Sequence, residues 1–292
     1  MMSKKKSIIC ALLVMLLWGS LFPSVKYSYG AYGVETTADI LLFIGIRFVI
    51  CGLAVSVFAL LKDKGSFNGA KNVIFPVLLS GLFSIVIHYY FTYSAMQITD
   101  SSKTAILKQV GSLLYVCLSF LFFKNDKVTY PKIIGAVLGF AGIVAINAKG
   151  GKISFNMGDA MILGASFSSV AANIVSKKVF KKFDPIASTG ISQFFGGFIL
   201  LILGLSLGGS VHMTLSSSPI MIYICLASII SYCLWYTILK SGELSKLLII
   251  KFAEPVFACL FSAAILGENV FNIQYILAFL LISGGIYISN RK

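Results

Sequence analysis

Charge is what this sequence has least of. Asp, Glu, Lys and Arg make up 12% of its 292 residues, while hydrophobic residues make up 58%. A soluble domain carries roughly 25% charged and 45–50% apolar residues, so this balance excludes a cytosolic enzyme and a disordered tail. Histidine is reduced to His88 and His212, and the ten Asp and Glu residues are scattered singly, with no HxxxH or DxD cluster. A membrane enzyme needs nucleophile, acid–base or metal-ligating groups converging at one surface. That set is missing, so no catalysis, metal or cofactor is expected. No Walker motif is present, and ATP-driven transport would therefore need a partner chain. The six cysteines all lie in apolar runs without a CxxC pair and read as small buried hydrophobes, not disulfides or zinc ligands.

Long apolar runs are what the sequence has instead, and its mean hydropathy is +0.93. A membrane helix needs ~20 mostly apolar residues. Runs of that kind, broken by charge, Pro, Gly and Asn clusters, fall at approximately 8–29, 38–61, 73–95, 102–123, 131–147, 157–177, 185–208, 219–239, 244–266 and 272–290. Their continuity excludes a transmembrane β-barrel, whose strands alternate over ~10 residues. Lys4-Lys5-Lys6 and the apolar stretch after them imitate a signal peptide, but the run continues to Val25 without a small-residue cleavage site. It reads as a retained first helix. No segment between runs is long enough to fold alone, so the expectation is one all-α polytopic membrane domain with ten transmembrane helices.

The net charge of +14 is unevenly placed. With the N-terminus inside, the cytoplasmic segments hold 17 of the 24 basic residues and the outer loops hold three. The remaining four, Lys26, Arg47, Lys108 and Lys251, lie inside spans. Because Lys and Arg concentrate on the cytoplasmic side of membrane proteins, this alternation predicts ten spans with both termini cytoplasmic; the membrane expected is a plasma membrane of bacterial type. The excess charge then orients the chain and implies no nucleic acid.

The two halves overlay without gaps at an offset of 143 between residues 89–147 and 232–290. Identical positions include Tyr89/Tyr232, Tyr93/Tyr236, Lys103/Lys246, Lys108/Lys251 and Asn147/Asn290. An offset of 146 suits earlier segments, pairing Ser20 with Ser166, Phe48 with Phe194, and Arg47 with Gln193. Apolar matches are cheap in such a composition, and coincidence between apolar helices is the alternative; the Lys and Tyr matches are harder to reach by chance. Five helices per half is an odd number, so residues 1–150 and 151–292 would form two inverted five-helix repeats, a recurrent architecture of secondary transporters.

Particular motifs carry a resemblance. Leu17-Trp18-Gly19-Ser20, Gly45-Ile46-Arg47-Phe48, Ala95-Met96-Gln97-Ile98-Thr99, and Ala253-Glu254-Pro255-Val256-Phe257 through Leu266-Gly267-Glu268 are similar to those of the drug/metabolite transporter superfamily. Within it, the chain resembles the EamA-type ten-helix carriers over nearly its whole length. The resemblance implies two five-helix inverted repeats around a central cavity, and small metabolites such as amino acids as cargo. The chain departs from the pattern at Gly111-Ser112, where a proline is common, and at Lys124-Asn125-Asp126, which replaces a glycine–glutamate ending. Lys108 and Lys251 are also unusual for the group.

A charge near the bilayer centre costs at least ~2.5 kcal/mol, so it normally faces a cavity or a partner. Arg47 lies about nine residues into its span, or ~14 Å deep at 1.5 Å per residue. Its planar fork suits a substrate carboxylate or phosphate, and equally a structural role between helices. Lys108 and Lys251 lie at equal depths, ~7.5 Å from opposite boundaries. Each either meets an anionic substrate group or snorkels to its interface. Glu254 follows Lys251 on the same helical face and precedes Pro255, which should kink the helix by freeing the Lys251 carbonyl. It is a candidate coupling site for a proton, as is His88, or else a neutralising partner of Lys251. Tyr89 and Tyr93, and in the other half Tyr232, Trp235 and Tyr236, are candidate cavity-lining residues, with packing as the alternative. Trp18 reads as packing. Gly135-xxx-Gly139 could mediate a homodimer or bring the fifth and tenth helices together within one chain.

The expectation is a secondary active transporter of a small polar metabolite, amino-acid-like or another carboxylate. It would work by alternating access against a proton or counter-substrate, with the lipid bilayer as its other partner. Export rests on the resemblance alone. Import of a metabolite or phosphorylated compound is the alternative, and a non-transporting structural or channel subunit is the alternative from another class.

Overall fold

The computed structural model describes residues 4–121, 127–149, 152–239 and 250–289. These are helical almost throughout, apart from a two-residue antiparallel pairing of Ala148–Lys149 with Lys152–Ile153. Ten helical segments follow the ten apolar runs. In chain order they are α1 (Lys4–Tyr32), α2 (Thr37–Lys62), α3 (Ala70–Ile98), and α4 (Ser101–Lys108, resumed after Gln109 as Val110–Leu118). Then come α5 (Tyr130–Asn147), α6 (Met157–Val179), α7 (Pro185–Ser206), α8 (Ser218–Leu239), α9 (Ala253–Leu266) and α10 (Ile273–Ser289). Seven of the described helices are long and apolar enough to cross a membrane alone, and α9 and α10 are shorter but equally apolar. Large apolar side chains cover the outside, among them Leu61, Phe75, Phe140 and Leu280. An apolar exterior of this extent suits acyl chains, and helices are the elements that satisfy their own backbone hydrogen bonds there.

Local chemistry sets the helix ends. Thr36 and Asp39 form a capping box that opens α2, and Asn156 with Asp159 does the same for α6. Each box satisfies orphan N–H groups that would otherwise remain in a poorly hydrated boundary. The Asp39 carboxylate also accepts from the Ser210 N–H at 2.7 Å, which ties the start of α2 to the turn before α8. Pro185 sits in the first turn of α7 behind the Asp184 cap, where its missing N–H is not needed.

The helices pair in a regular scheme. α2 lies antiparallel along α7, and α5 antiparallel along α10; α1 packs on α8 and α9, as α6 packs on α3 and α4. Gly135 and Gly285 bring the α5 and α10 backbones into contact, so these glycines pack within the chain. At Gly19 on α1, an added Cβ would stand 2.8 Å from the Glu254 carbonyl oxygen and 2.7 Å from the Phe257 Cβ. Only glycine lets α9 lie this close to α1.

Three interruptions mark the helices. α3 carries a π-helical stretch at Leu82–Ile87, which nothing in the sequence pattern announces. α4 breaks at Gln109, just past Lys108. The kink expected at Pro255 falls about one turn earlier, at Lys251 and Phe252. Its cause is the one anticipated, since Pro255 has no N–H for the Lys251 carbonyl. That carbonyl instead accepts from the Glu254 N–H at 3.2 Å, in a tighter turn. The ninth apolar run also includes residues 244–249, which lie outside the described residues.

Candidate functional site

The interior of the bundle holds a cavity of about 270 Å³ bordered by α1, α2, α3, α4, α6, α7, α8 and α9. It extends toward the end of the bundle where α6 turns into α7, reaching Phe180 and Ser188. Both helix interruptions on α4 and α9 open onto it, because Lys108 and Lys251, the last residue before one break and the first within the other, line the cavity. Residues 143 apart in sequence thus face one space.

Neither lysine has a carboxylate within ion-pairing distance among the described residues. Each lies against aromatic faces instead. The Lys108 Nζ is 5.1 Å from the Phe22 ring centroid and 6.0 Å from that of Tyr89, and the Lys251 Nζ is 5.2 Å from that of Trp235. A ring face attracts a cation without neutralising it, which leaves the ammonium protons free for an anion. Glu254 borders the cavity beside Lys251 without forming the direct ion pair that their spacing suggests.

Arg47 is 1% exposed on α2 and donates from Nη2 to the Ser228 hydroxyl of α8 at 2.7 Å. Its guanidinium carbon lies 4.8, 5.6 and 5.7 Å from the ring centroids of Phe48, Tyr89 and Tyr93. The arrangement serves the structural reading directly, since it joins three helices. The Nε–H, however, has no hydrogen-bond partner among the described residues. Tyr89 occupies the middle of this group. Its hydroxyl meets that of Tyr232 at 3.0 Å, a contact between residues matched in the overlay of the halves. His88 is buried and donates from Nδ1 to the Ala165 carbonyl oxygen at 2.9 Å, which joins α3 to α6.

Of the residues singled out in the sequence, Arg47, Lys108, Lys251, Tyr89, Tyr93, Tyr232, Glu254 and His88 all line the cavity. Trp235 does not; it stands behind the wall, 5.4 Å from the Trp18 ring and below Lys251. The side chain of Tyr236 lies outside the described residues. Trp18, expected to be packing only, both packs on Trp235 and Tyr232 and lines the cavity. Sequence reasoning also missed a polar strip from α6 and α7, including Asn173, Ser176, Ser192 and Gln193. Small polar residues within apolar runs carry no charge signal, although Gln193 stands opposite Arg47 in the overlay.

The other end of the bundle is closed by a polar cluster. Glu268 accepts from the backbone N–H groups of Ser101 and Ser102 at 2.8 and 2.9 Å and from both hydroxyls. It thereby caps α4 from the turn after α9, and Gly267 makes that turn at a φ of 67°. The Lys26 Nζ lies 3.6 Å from Glu268 and 3.8 Å from Asp100, and donates to the Thr99 carbonyl at 2.7 Å. Burial pushes the Glu268 carboxyl up, but the hydrogen bonds from Ser102 and Ser101 outweigh it and hold its pKa below the ordinary value. Lys26, counted in the sequence among the intramembrane cations, is thus a boundary residue with its own partners.

Comparison with known proteins agrees with this architecture. The model of the EamA-like transporter family matches residues 5–148 and again residues 156–290. An uncharacterized transporter of Archaeoglobus fulgidus is 24% identical over 99% of this chain and 99% of its own length. The uncharacterized transporter YoaV of Bacillus subtilis is 26% identical over 94% of each chain. A crystal structure with 19% sequence identity superposes with a TM-score of 0.68 over 99% of this chain and 97% of that one, a likeness of fold.

Proposed function

The chain belongs to the EamA-like transporter family and is an integral multi-pass membrane protein, and from that premise we propose that it is a secondary active transporter of a small polar metabolite bearing a carboxylate, amino-acid-like or similar, moved by alternating access. The observation that carries this reading is the cationic lining of the cavity: Lys108 and Lys251, both at helix breaks and neither ion-paired among the described residues, with the Arg47 guanidinium on the same wall. Cations without carboxylate partners in a cavity inside an apolar bundle are costly unless an anion visits them.

The pairing of helices supports an inverted-repeat mechanism. Exchanging the halves maps α1 on α8 and α9 to α6 on α3 and α4, and maps the α2–α7 and α5–α10 pairs onto themselves. The two family matches and the Tyr89–Tyr232 contact fit the same exchange. In such an exchange the cavity would close at the α6–α7 turn and open at the Lys26 cluster. Glu254, beside the Lys251 break, is the candidate site for a coupling proton, and the direction proposed is export, from a bacterial-type plasma membrane with both termini cytoplasmic.

The test is counterflow into proteoliposomes loaded separately with amino acids, organic anions and sugar phosphates, with and without a pH gradient. Counterflow of carboxylates is expected, and sugar phosphates in their place would favour the phosphorylated-compound reading. Glu254→Gln should abolish gradient-driven uptake and leave exchange intact. Absence of counterflow for every class would overturn the proposal.

A further inference from the structure

Most buried polar side chains of the bundle are satisfied by helix carbonyls one turn away or by a neighbouring helix. Ser166 and Ser228 donate to carbonyls four residues back, and Ser192 donates to the Val77 carbonyl of α3. Gln193 is an exception. It is 1% exposed, it lines the cavity from α7, and neither its amide nitrogen nor its amide oxygen has a hydrogen-bond partner among the described residues. A buried polar group left without a partner bears its full desolvation cost, and this amide carries two such groups. Two other groups in the same state belong to the same cavity, the Arg47 Nε–H and the Tyr93 hydroxyl.

These groups differ in what they can bind. The Arg47 Nε–H and the two lysine ammoniums only donate, so they suit a carboxylate. A primary amide donates and accepts at once, and a carboxylate would satisfy its N–H while facing its oxygen with lone pairs. The complementary partner is a neutral group that also donates and accepts, namely a hydroxyl or a carboxamide. Gln193 also occupies the position that Arg47 holds in the other half of the overlay. Equivalent places in the two halves thus present a cation and a neutral amide.

We propose that Gln193 is a substrate-contacting residue that determines specificity: its amide reads a hydroxyl or carboxamide on the same small molecule whose carboxylate is held by Arg47, Lys108 and Lys251. This rests on the transporter reading above and narrows its cargo to hydroxy- or amide-bearing carboxylates. A site built to hydrogen-bond such a group rejects the analogue that lacks it, because the amide is then left unpaired.

The experiment is proteoliposome counterflow with two matched pairs of labelled probes, L-serine against L-alanine and L-malate against succinate, each differing by one hydroxyl. The wild type should favour the hydroxylated member of at least one pair by about tenfold or more. Gln193→Leu, which keeps the size and removes the amide, should bring that ratio to within about twofold by slowing the hydroxylated member alone. Lys108→Gln should slow both members alike and leave the ratio standing. A second variant, Gln193→Met, keeps the unbranched side chain and loses the amide; it should lose the preference as well, which covers the case where the leucine variant does not fold. A wild-type ratio near one in both pairs, or an unchanged ratio in folded Gln193→Leu, overturns the assignment and leaves the transporter reading untouched. Wild-type protein that moves none of the four probes, but carries another carboxylate lacking hydroxyl and amide, overturns the assignment too. No counterflow of any carboxylate removes the transporter reading itself.

Discussion

Four lysines divide this molecule into two regions. At the closed end, Lys26 sits among Glu268, Asp100 and the Thr99 carbonyl, and Lys103 bonds both Asp159 and Asn147. In the cavity, Lys108 and Lys251 face aromatic rings and, among the described residues, no carboxylate within ion-pairing distance. Lys103 and Lys108 belong to the same eight-residue helical segment, so the contrast arises over little more than one turn. A paired cation spends its charge on holding helices together, whereas a cation against ring faces remains able to take a ligand. The closed end is therefore where substitutions should act on stability, and the cavity is where they should act on transport.

The sharpest break of that contrast is Lys103→Ala. Asp159 is 0% exposed and would be left as a buried carboxylate without its cation. The expected loss is about 3 kcal/mol, read as a lowered Tm in detergent. Glu268→Ala comes next. It removes the acceptor of four hydrogen bonds at the start of α4 and a partner of the half-buried Lys26. A helix-cap loss is about 1–2 kcal/mol, and it should appear as reduced hydrogen-exchange protection at Ser101 and Ser102.

The cavity lysines should behave in the opposite way. Lys108→Gln and Lys251→Gln are each expected to lower counterflow of a carboxylate by about tenfold, without the drop in Tm expected for Lys103→Ala, since neither breaks an ion pair among the described residues. Equal transport by both variants would return these lysines to the snorkelling reading. The smallest effect concerns pH. The Glu268 carboxyl is held below its ordinary value of 4.5, so its contribution is complete above that value and fades as pH falls through the depressed one. Protection factors at Ser101 and Ser102 should decline only in that acid range, and the decline should be absent in Glu268→Gln.

Much of this was legible in the residues alone, because the solvent imposes a simple code. Each apolar run had to become a helix long enough to close its own hydrogen bonds in lipid, and the observed helix ends fall within a few residues of the runs, except at the start of the ninth, which lies outside the described residues. The overlay of the halves picked out Tyr89, Tyr232, Lys108 and Lys251, and all four line the cavity. The Lys26–Glu268–Asp100 cluster was not legible. Its members come from the end of α1, the turn before α4 and the turn after α9, and helical spacing says nothing about which turns meet. Gln193 was hidden for a different reason. A neutral side chain in an apolar run sends no charge signal, and its unsatisfied amide is visible only when its neighbours are known.

The sequence by itself determined the number of spans, their apolar exterior and the presence of a few cations that lipid could not tolerate unpartnered. Those properties follow from composition and period, which are local. Only the tertiary structure decided which cations are neutralised and which are not. That depends on which helix ends and turns come together in the bundle. Lys103 meets Asp159 across α4 and α6, while Lys108, five residues further along, turns toward the cavity, where no carboxylate of the described residues comes within ion-pairing distance of it.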